Sequence, residues 1–119
     1  MQRQGRLDEA VARYTRAIEL DPTLAQAYSN RGSTYLNLGE PEKAIADLDE
    51  ALTLNPNLAV AYSSRGLAHT NLSNFSQALK DLNEAVRINP NFADAYSTRG
   101  FVHRSAGQFD RAISDFDQA

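Results

Sequence analysis

Arg31, Arg65 and Arg99 are each followed sixteen residues later by an aspartate: Asp47, Asp81 and Asp115. A guanidinium with a carboxylate can clamp a charged substrate, or it can hold two pieces of a fold together. Three recurrences at one spacing predict the second, a ladder of structural ion pairs, each joining two elements of one unit. Such a pair need not beat an apolar contact in stability, but removing one partner of a buried pair costs about 3–5 kcal/mol. The corresponding slot nearer the start holds Arg13. His69 and His103 also share a spacing, 34 residues, and could suggest a metal. A zinc site needs three or four ligands, and no acidic or histidine residue accompanies them regularly, so both are read as packing residues. Asp47-Leu48-Asp49 and Asp115-Phe116-Asp117 lack the glycine and distal glutamate of a calcium loop. Serines are frequent, yet none sits in a nucleophile elbow or a Ser-x-x-Lys pattern, and no glycine-rich phosphate loop follows a strand. The expectation is a chain that is not an enzyme, with no cofactor and no metal.

The elements that must position these residues come from a repeat. Pro22, Pro56 and Pro90 are 34 residues apart, and the residues between them recur in phase. Tyr28, Tyr62 and Tyr96 match. So do Arg31-Gly32, Arg65-Gly66 and Arg99-Gly100. Ala10, Ala44, Ala78 and Ala112 form one series, and Ala17, Ala51, Ala85 and Ala119 another. A period of this length marks a solenoid of stacked supersecondary units. Within each period the apolar residues follow helical spacing, as Leu7, Ala10, Val11, Tyr14, Ala17 and Ile18 do.

Helix boundaries follow from local chemistry. A residue before proline is pushed out of helical geometry, so Asp21-Pro22, Asn55-Pro56 and Asn89-Pro90 end helices. Thr23, Asn57 and Asn91 are expected to cap the helices that follow. The spacing predicts first helices (A) near 24–38, 58–72 and 92–106, and second helices (B) at 41–54, 75–88 and from Phe109 onward. Pro41 suits a first helical turn, where its missing N–H has no intrahelical partner. Before them, residues 1–5 would end an A helix, Gly5 would turn the chain, and Leu7 to Leu20 would form the first B helix: seven helices in all. Gly39 and Gly107 occupy the same turn, whereas the middle unit has Ser73, which costs roughly 1 kcal/mol if that position is left-handed; Asn74 is the other candidate for the strain. Gly32, Gly66 and Gly100 fall mid-helix, where glycine costs about 1 kcal/mol against alanine. A close approach of helix B to each is the expected compensation, and the three tyrosines should fill the wedge between units.

Tyrosine, glycine four residues on, an aromatic or histidine three further, a small-residue turn, alanine, a large apolar residue, alanine and proline: this series resembles the tetratricopeptide repeat (TPR), and it runs through the whole chain. The resemblance implies an all-α fold of antiparallel helix pairs in a right-handed superhelix, with a concave groove lined by the A helices. Read in that register, the 119 residues form one array: a half repeat at 1–22, repeats at 23–56 and 57–90, and an incomplete one at 91–119. The phase predicts a fragment of a longer array.

Composition narrows the partners. Twelve Lys+Arg against fifteen Asp+Glu leave a net charge of −3, without the basic stripe of a nucleic-acid binder. No apolar stretch approaches the roughly 18 residues of a membrane span, and MQRQGRLDEA is too polar for a signal peptide. These features predict a soluble, cytoplasmic chain. There are no cysteines.

The resemblance also locates a binding surface. A-helix positions off the core face would line the groove: Gln26, Ser29, Asn30, Ser33 and Asn37; Val60, Ser63, Ser64, Leu67 and Asn71; Asp94, Ser97, Thr98, Phe101 and Arg104. TPRs that hold the acidic tails of heat-shock chaperones use a clamp of Lys, Arg and Asn. Those slots here hold Ser29, Ser33, Ser64, Asp94 and Thr98, so the cations are missing and one slot is reversed in charge. A second TPR mode uses a ladder of asparagines, of which Asn30, Ser64 and Thr98 keep one rung. The expectation is a scaffold that binds a peptide or protein through backbone hydrogen bonds, with apolar contact at Val60, Leu67 and Phe101. A structural, self-associating module and the regulatory array of a larger enzyme remain as alternatives. Ile113 and Phe116 with Leu7, Ala10, Tyr14 and Ala17 leave apolar ends, which predicts weak homo-oligomers.

Overall fold

The computed structural model describes residues 2–105, with side-chain surroundings from residue 5 on. Six helices and no strand occur among the described residues: α1 (Gln2–Leu20), α2 (Ala25–Asn37), α3 (Pro41–Leu54), α4 (Ala59–Asn71), α5 (Phe75–Ile88) and α6 (Ala93–Ser105). The expected seventh helix, together with Gly107, Ala112, Ile113, Asp115, Phe116 and Ala119, lies outside them.

Two local devices repeat. The first starts each A helix. Asp21 Oδ1 accepts hydrogen bonds from the Thr23 N–H (3.0 Å) and hydroxyl (2.6 Å). Asn55 Oδ1 accepts from the Asn57 N–H (3.1 Å), and Asn89 Oδ1 from the Asn91 N–H (3.2 Å). Each is an Asx turn folded over the intervening proline. The caps assigned to Thr23 and Asn57 are therefore corrected. The N-cap positions are Leu24 and Leu58, with no side-chain cap bond, because the backbone N–H of residues 23 and 57 is already turned back onto the residue before proline.

The second device joins A to B. Gly39 has φ +77° and Ser73 φ +61°. On either side, Glu40 N–H donates to the Tyr35 carbonyl (2.9 Å) and Asn74 N–H to the His69 carbonyl (2.8 Å). A left-handed residue closed by such a bond is the Schellman end of a helix, so the strain falls on Ser73 rather than Asn74. The short turns make α2 antiparallel to α3 and α4 antiparallel to α5. Gly5 is a correction: it lies inside α1 and its φ is not positive. Each residue added to an existing helix gains a backbone bond, so α1 runs on through Gly5.

Packing follows the small residues. A Cβ on Gly32 would stand 2.8 Å from Leu48 Cγ and 3.2 Å from the Ala44 carbonyl oxygen; on Gly66, 2.8 Å from Leu82 Cγ and 3.3 Å from the Ala78 carbonyl oxygen. Helix B thus sits directly on the glycine of helix A. Leu48 and Leu82 are fully buried, each the centre of a cluster, one with Ala44, Leu52, Ala61 and Ala68, the other with Ala78, Ala85, Ala95 and Val102. Tyr62 packs against both clusters, which is how one unit is stabilised by the next.

The A helices also touch each other in series, α2 with α4 and α4 with α6, whereas α1, α3 and α5 do not touch one another. Helices that meet on one side and part on the other curve the stack toward the side that meets. The inner, concave wall is therefore made by α2, α4 and α6.

Candidate functional site, the inner wall of the A helices

The charged ladder lies at the helix junctions. Arg31 donates through Nε and Nη2 to the two oxygens of Asp47, both at 2.7 Å. Arg65 does the same to Asp81 at 2.9 and 2.8 Å. These are bidentate pairs, the strongest geometry a guanidinium offers. Each arginine also reaches backward by sixteen residues, to the preceding unit's B helix. Nη1 donates to the Thr15 hydroxyl from Arg31 (3.1 Å), to Asp49 from Arg65 (2.8 Å) and to the side-chain Oδ1 of Asn83 from Arg99 (2.8 Å). The tyrosine three residues earlier stacks on the same group, with Tyr28, Tyr62 and Tyr96 ring centres 5.9, 5.6 and 5.1 Å away, within cation–π range.

The ladder therefore staples neighbouring units as well as the two helices of one unit. Asp47 holds the Arg31 guanidinium above its ordinary pKa, and Asp81, helped by Asp49, does so for Arg65 more strongly; burial opposes both. Position 115, the partner expected for Arg99, lies outside the described residues. Arg13 is exposed.

The histidines belong to the same junctions. His103 is buried. His69 stands where the previous unit has Tyr35. Its Nε2 is 3.9 Å from Asp81 Oδ2, too far for a hydrogen bond, and its Nδ1 is buried without a hydrogen-bond partner. Beside it, between α3 and α5, is a polar wedge of about 370 Å³ with Asp49, Arg65, Lys80 and Asp81 in its lining. Among the described residues no group of three or more His, Cys, Asp or Glu is placed to hold a metal.

The inner wall has a different character. A cavity of about 340 Å³ between α4 and α6 is lined by Val60, Ser63, Ser64, Leu67, Asp94, Ser97 and Thr98, joined by Phe92. Val60, Leu67 and Phe101 keep 52, 41 and 48% of their surface exposed. Asn71 and Arg104 are also exposed. Phe92 escaped the reading of the sequence because it precedes the helix; its position next to the proline turn was the available signal.

Further along, the wall over α2 is closed on itself. Gln26 Nε2 donates to Asn30 Oδ1 (3.1 Å), and the Ser33 and Ser64 hydroxyls bond across α2 and α4 (3.1 Å). Asn37 is exposed. Ser29 is a correction, being 1% exposed. Adjacent residues on a helix point about 100° apart, so with Asn30 on the wall, Ser29 turns into the packed side.

Comparisons with known proteins converge on one family. The family model described as Tetratricopeptide repeat matches residues 25–58 and 59–92, and one described as TPR repeat matches residues 3–39. Among solved structures, a crystal structure of MamA has a TM-score of 0.88 at 30% identity, over 98% of this chain and 68% of that one. The first TPR of Spaghetti (RPAP3), bound to the HSP90 peptide SRMEEVD, has a TM-score of 0.84 at 30% identity, over 88% of this chain and 83% of that one. Among curated proteins, a FAM10 family protein of Arabidopsis thaliana is 50% identical over 38 residues, 32% of this chain and 9% of that protein's length.

Proposed function

Because this chain belongs to the tetratricopeptide repeat family and is a protein-interaction module, we propose that it holds an extended or helical peptide segment against the inner wall of α2, α4 and α6, binding it without catalysis. The observation that carries this reading is the cavity between α4 and α6. Its apolar side chains, exposed Val60 and Leu67 and the flanking Phe92, stand beside four hydroxyls, Ser63, Ser64, Ser97 and Thr98. Hydroxyls both donate and accept, which suits a peptide backbone, and exposed aliphatic surface gives a side chain somewhere to bury.

The class of peptide differs from that of the structural neighbour. SRMEEVD is acidic, whereas the clamp slots here carry Ser33, Ser64, Thr98 and Asp94. Like charge across an interface discriminates against a wrong partner, so the groove favours neutral or basic segments.

A pull-down from a lysate with the wild type and with Leu67→Glu/Phe101→Glu tests the groove. Both positions are exposed, so the variant should keep its helical circular dichroism. Partners recovered by the wild type should be lost from the variant. Equal recovery by both proteins would overturn the proposal.

A further inference from the structure

We infer that the cavity between α4 and α6 selects a partner segment with a large apolar side chain and, within two residues of it, a lysine or arginine. The inference rests on the groove reading above and adds the partner's chemistry. Its starting point is a contrast along one wall. Over α2 the polar side chains bond to one another, Gln26 with Asn30 and Ser33 with Ser64, and none of the four carries a charge. One unit on, the slots of Gln26 and Ser33 hold Val60 and Leu67, and two units on the first slot holds Asp94. The uncharged polar surface thus gives way to an apolar one with a carboxylate on its edge.

Asp94 lines the cavity and is exposed, and among the described residues no cation pairs with it. It stands in the first turn of α6, where the partial positive charge of the helix end favours a carboxylate. It is therefore a carboxylate with no counter-charge among the described residues, beside an apolar surface. The cavity, at about 340 Å³, is near the small end of the roughly 300–1,000 Å³ of ligand pockets, a size for one side chain rather than a domain.

Geometry lets one segment meet both features. In an extended peptide, residues i and i+2 project to the same face about 6.6 Å apart. Packed helices stand roughly 8–10 Å apart. An anchor between Val60, Leu67 and Phe92 therefore leaves a cation at the neighbouring position within reach of Asp94. An acidic segment would meet Asp94 with like charge, and an uncharged one would leave it unpaired.

The test is selection from a random-peptide display library on the full chain, with Leu67→Glu/Phe101→Glu as the counter-target. Enriched peptides should bind the wild type, fail on the counter-target, and carry Lys or Arg within two residues of a large apolar side chain. Asp94→Asn should weaken them roughly two- to fivefold at low salt, the scale of one exposed ion pair. Asp94→Lys should move the enrichment toward Asp and Glu at the same place. Peptides that fail on the counter-target but show no basic bias and bind Asp94→Lys equally would overturn this inference and leave the groove reading standing. No enrichment, or equal binding to the counter-target, would overturn the groove reading and this inference with it.

Discussion

The two whole repeats, 23–56 and 57–90, agree at the glycine and arginine contacts between helix A and helix B and differ at most slots of the inner wall. Gly32 and Gly66 receive Leu48 and Leu82 at nearly the same distances, and Arg31 and Arg65 grip Asp47 and Asp81 with the same two donors. On the inner wall, Gln26, Asn30 and Ser33 become Val60, Ser64 and Leu67. A slot that two packed surfaces constrain has few acceptable residues, because a close-packed interior feels even one added methylene. A slot that faces solvent is free to follow a ligand. The repeating residues thus account for the fold, and those that break the repeat are where specificity can reside.

That division can be broken first at the core. Leu48→Ala and Leu82→Ala should each cost about 2–5 kcal/mol, and by similar amounts, since both leucines are fully buried against a glycine. Urea unfolding of each variant measures this. Costs that differed several-fold would show that the two units are not energetically alike.

The ladder sharpens the comparison, because here the two units differ in the group behind the arginine and in Tyr35, over which Arg31 also lies (6.0 Å) where the next unit has His69. Arg65 keeps Asp49 when Asp81 is lost, while Arg31 is left with the Thr15 hydroxyl when Asp47 is lost. Asp47→Asn should therefore destabilise by about 2–3 kcal/mol, the upper range for hydrogen bonds to charged groups, and Asp81→Asn by about 1 kcal/mol less. Equal losses in denaturation midpoint, at unchanged slope, would mean that the backward contact to the preceding unit contributes nothing.

The smallest expected effect is at the turn. Ser73 occupies the left-handed position that Gly39 fills in the previous unit. Ser73→Gly should stabilise by about 0.5–1 kcal/mol and Gly39→Ser should destabilise by a similar amount, the left-handed strain less the entropy of glycine. Thermal unfolding of the two variants should move in opposite directions.

Much of this was legible in the sequence for a physical reason. Proline and glycine act through the backbone, so Pro41, Gly39 and the Asn55-Pro56 break set the ends of α3 without reference to any other residue. The 34-residue period then carried those ends from unit to unit. Contacts that span units were harder to read. The 15, 49 and 83 series behind the arginines went unseen because Thr, Asp and Asn share acceptor chemistry but not a residue type. Thr23 and Asn57 were misplaced as caps because both are good capping types, whereas the side chain that fixes each helix start belongs to the residue before proline, Asp21 or Asn55. Ser29 could not be told from Asn30 by polarity, since both are small and polar; only the packing of α2 separates them.

The central claim is that the inner wall binds and the ladder supports. An amide NMR titration of the full chain with a peptide from the display selection measures it directly. Shift changes concentrated between Val60 and Asn71 on α4 and between Asp94 and Phe101 on α6, with Asp49 and Lys80 on the opposite side unchanged, are the predicted result. Changes centred on the polar wedge between α3 and α5, with Val60, Leu67 and Asp94 silent, would contradict it.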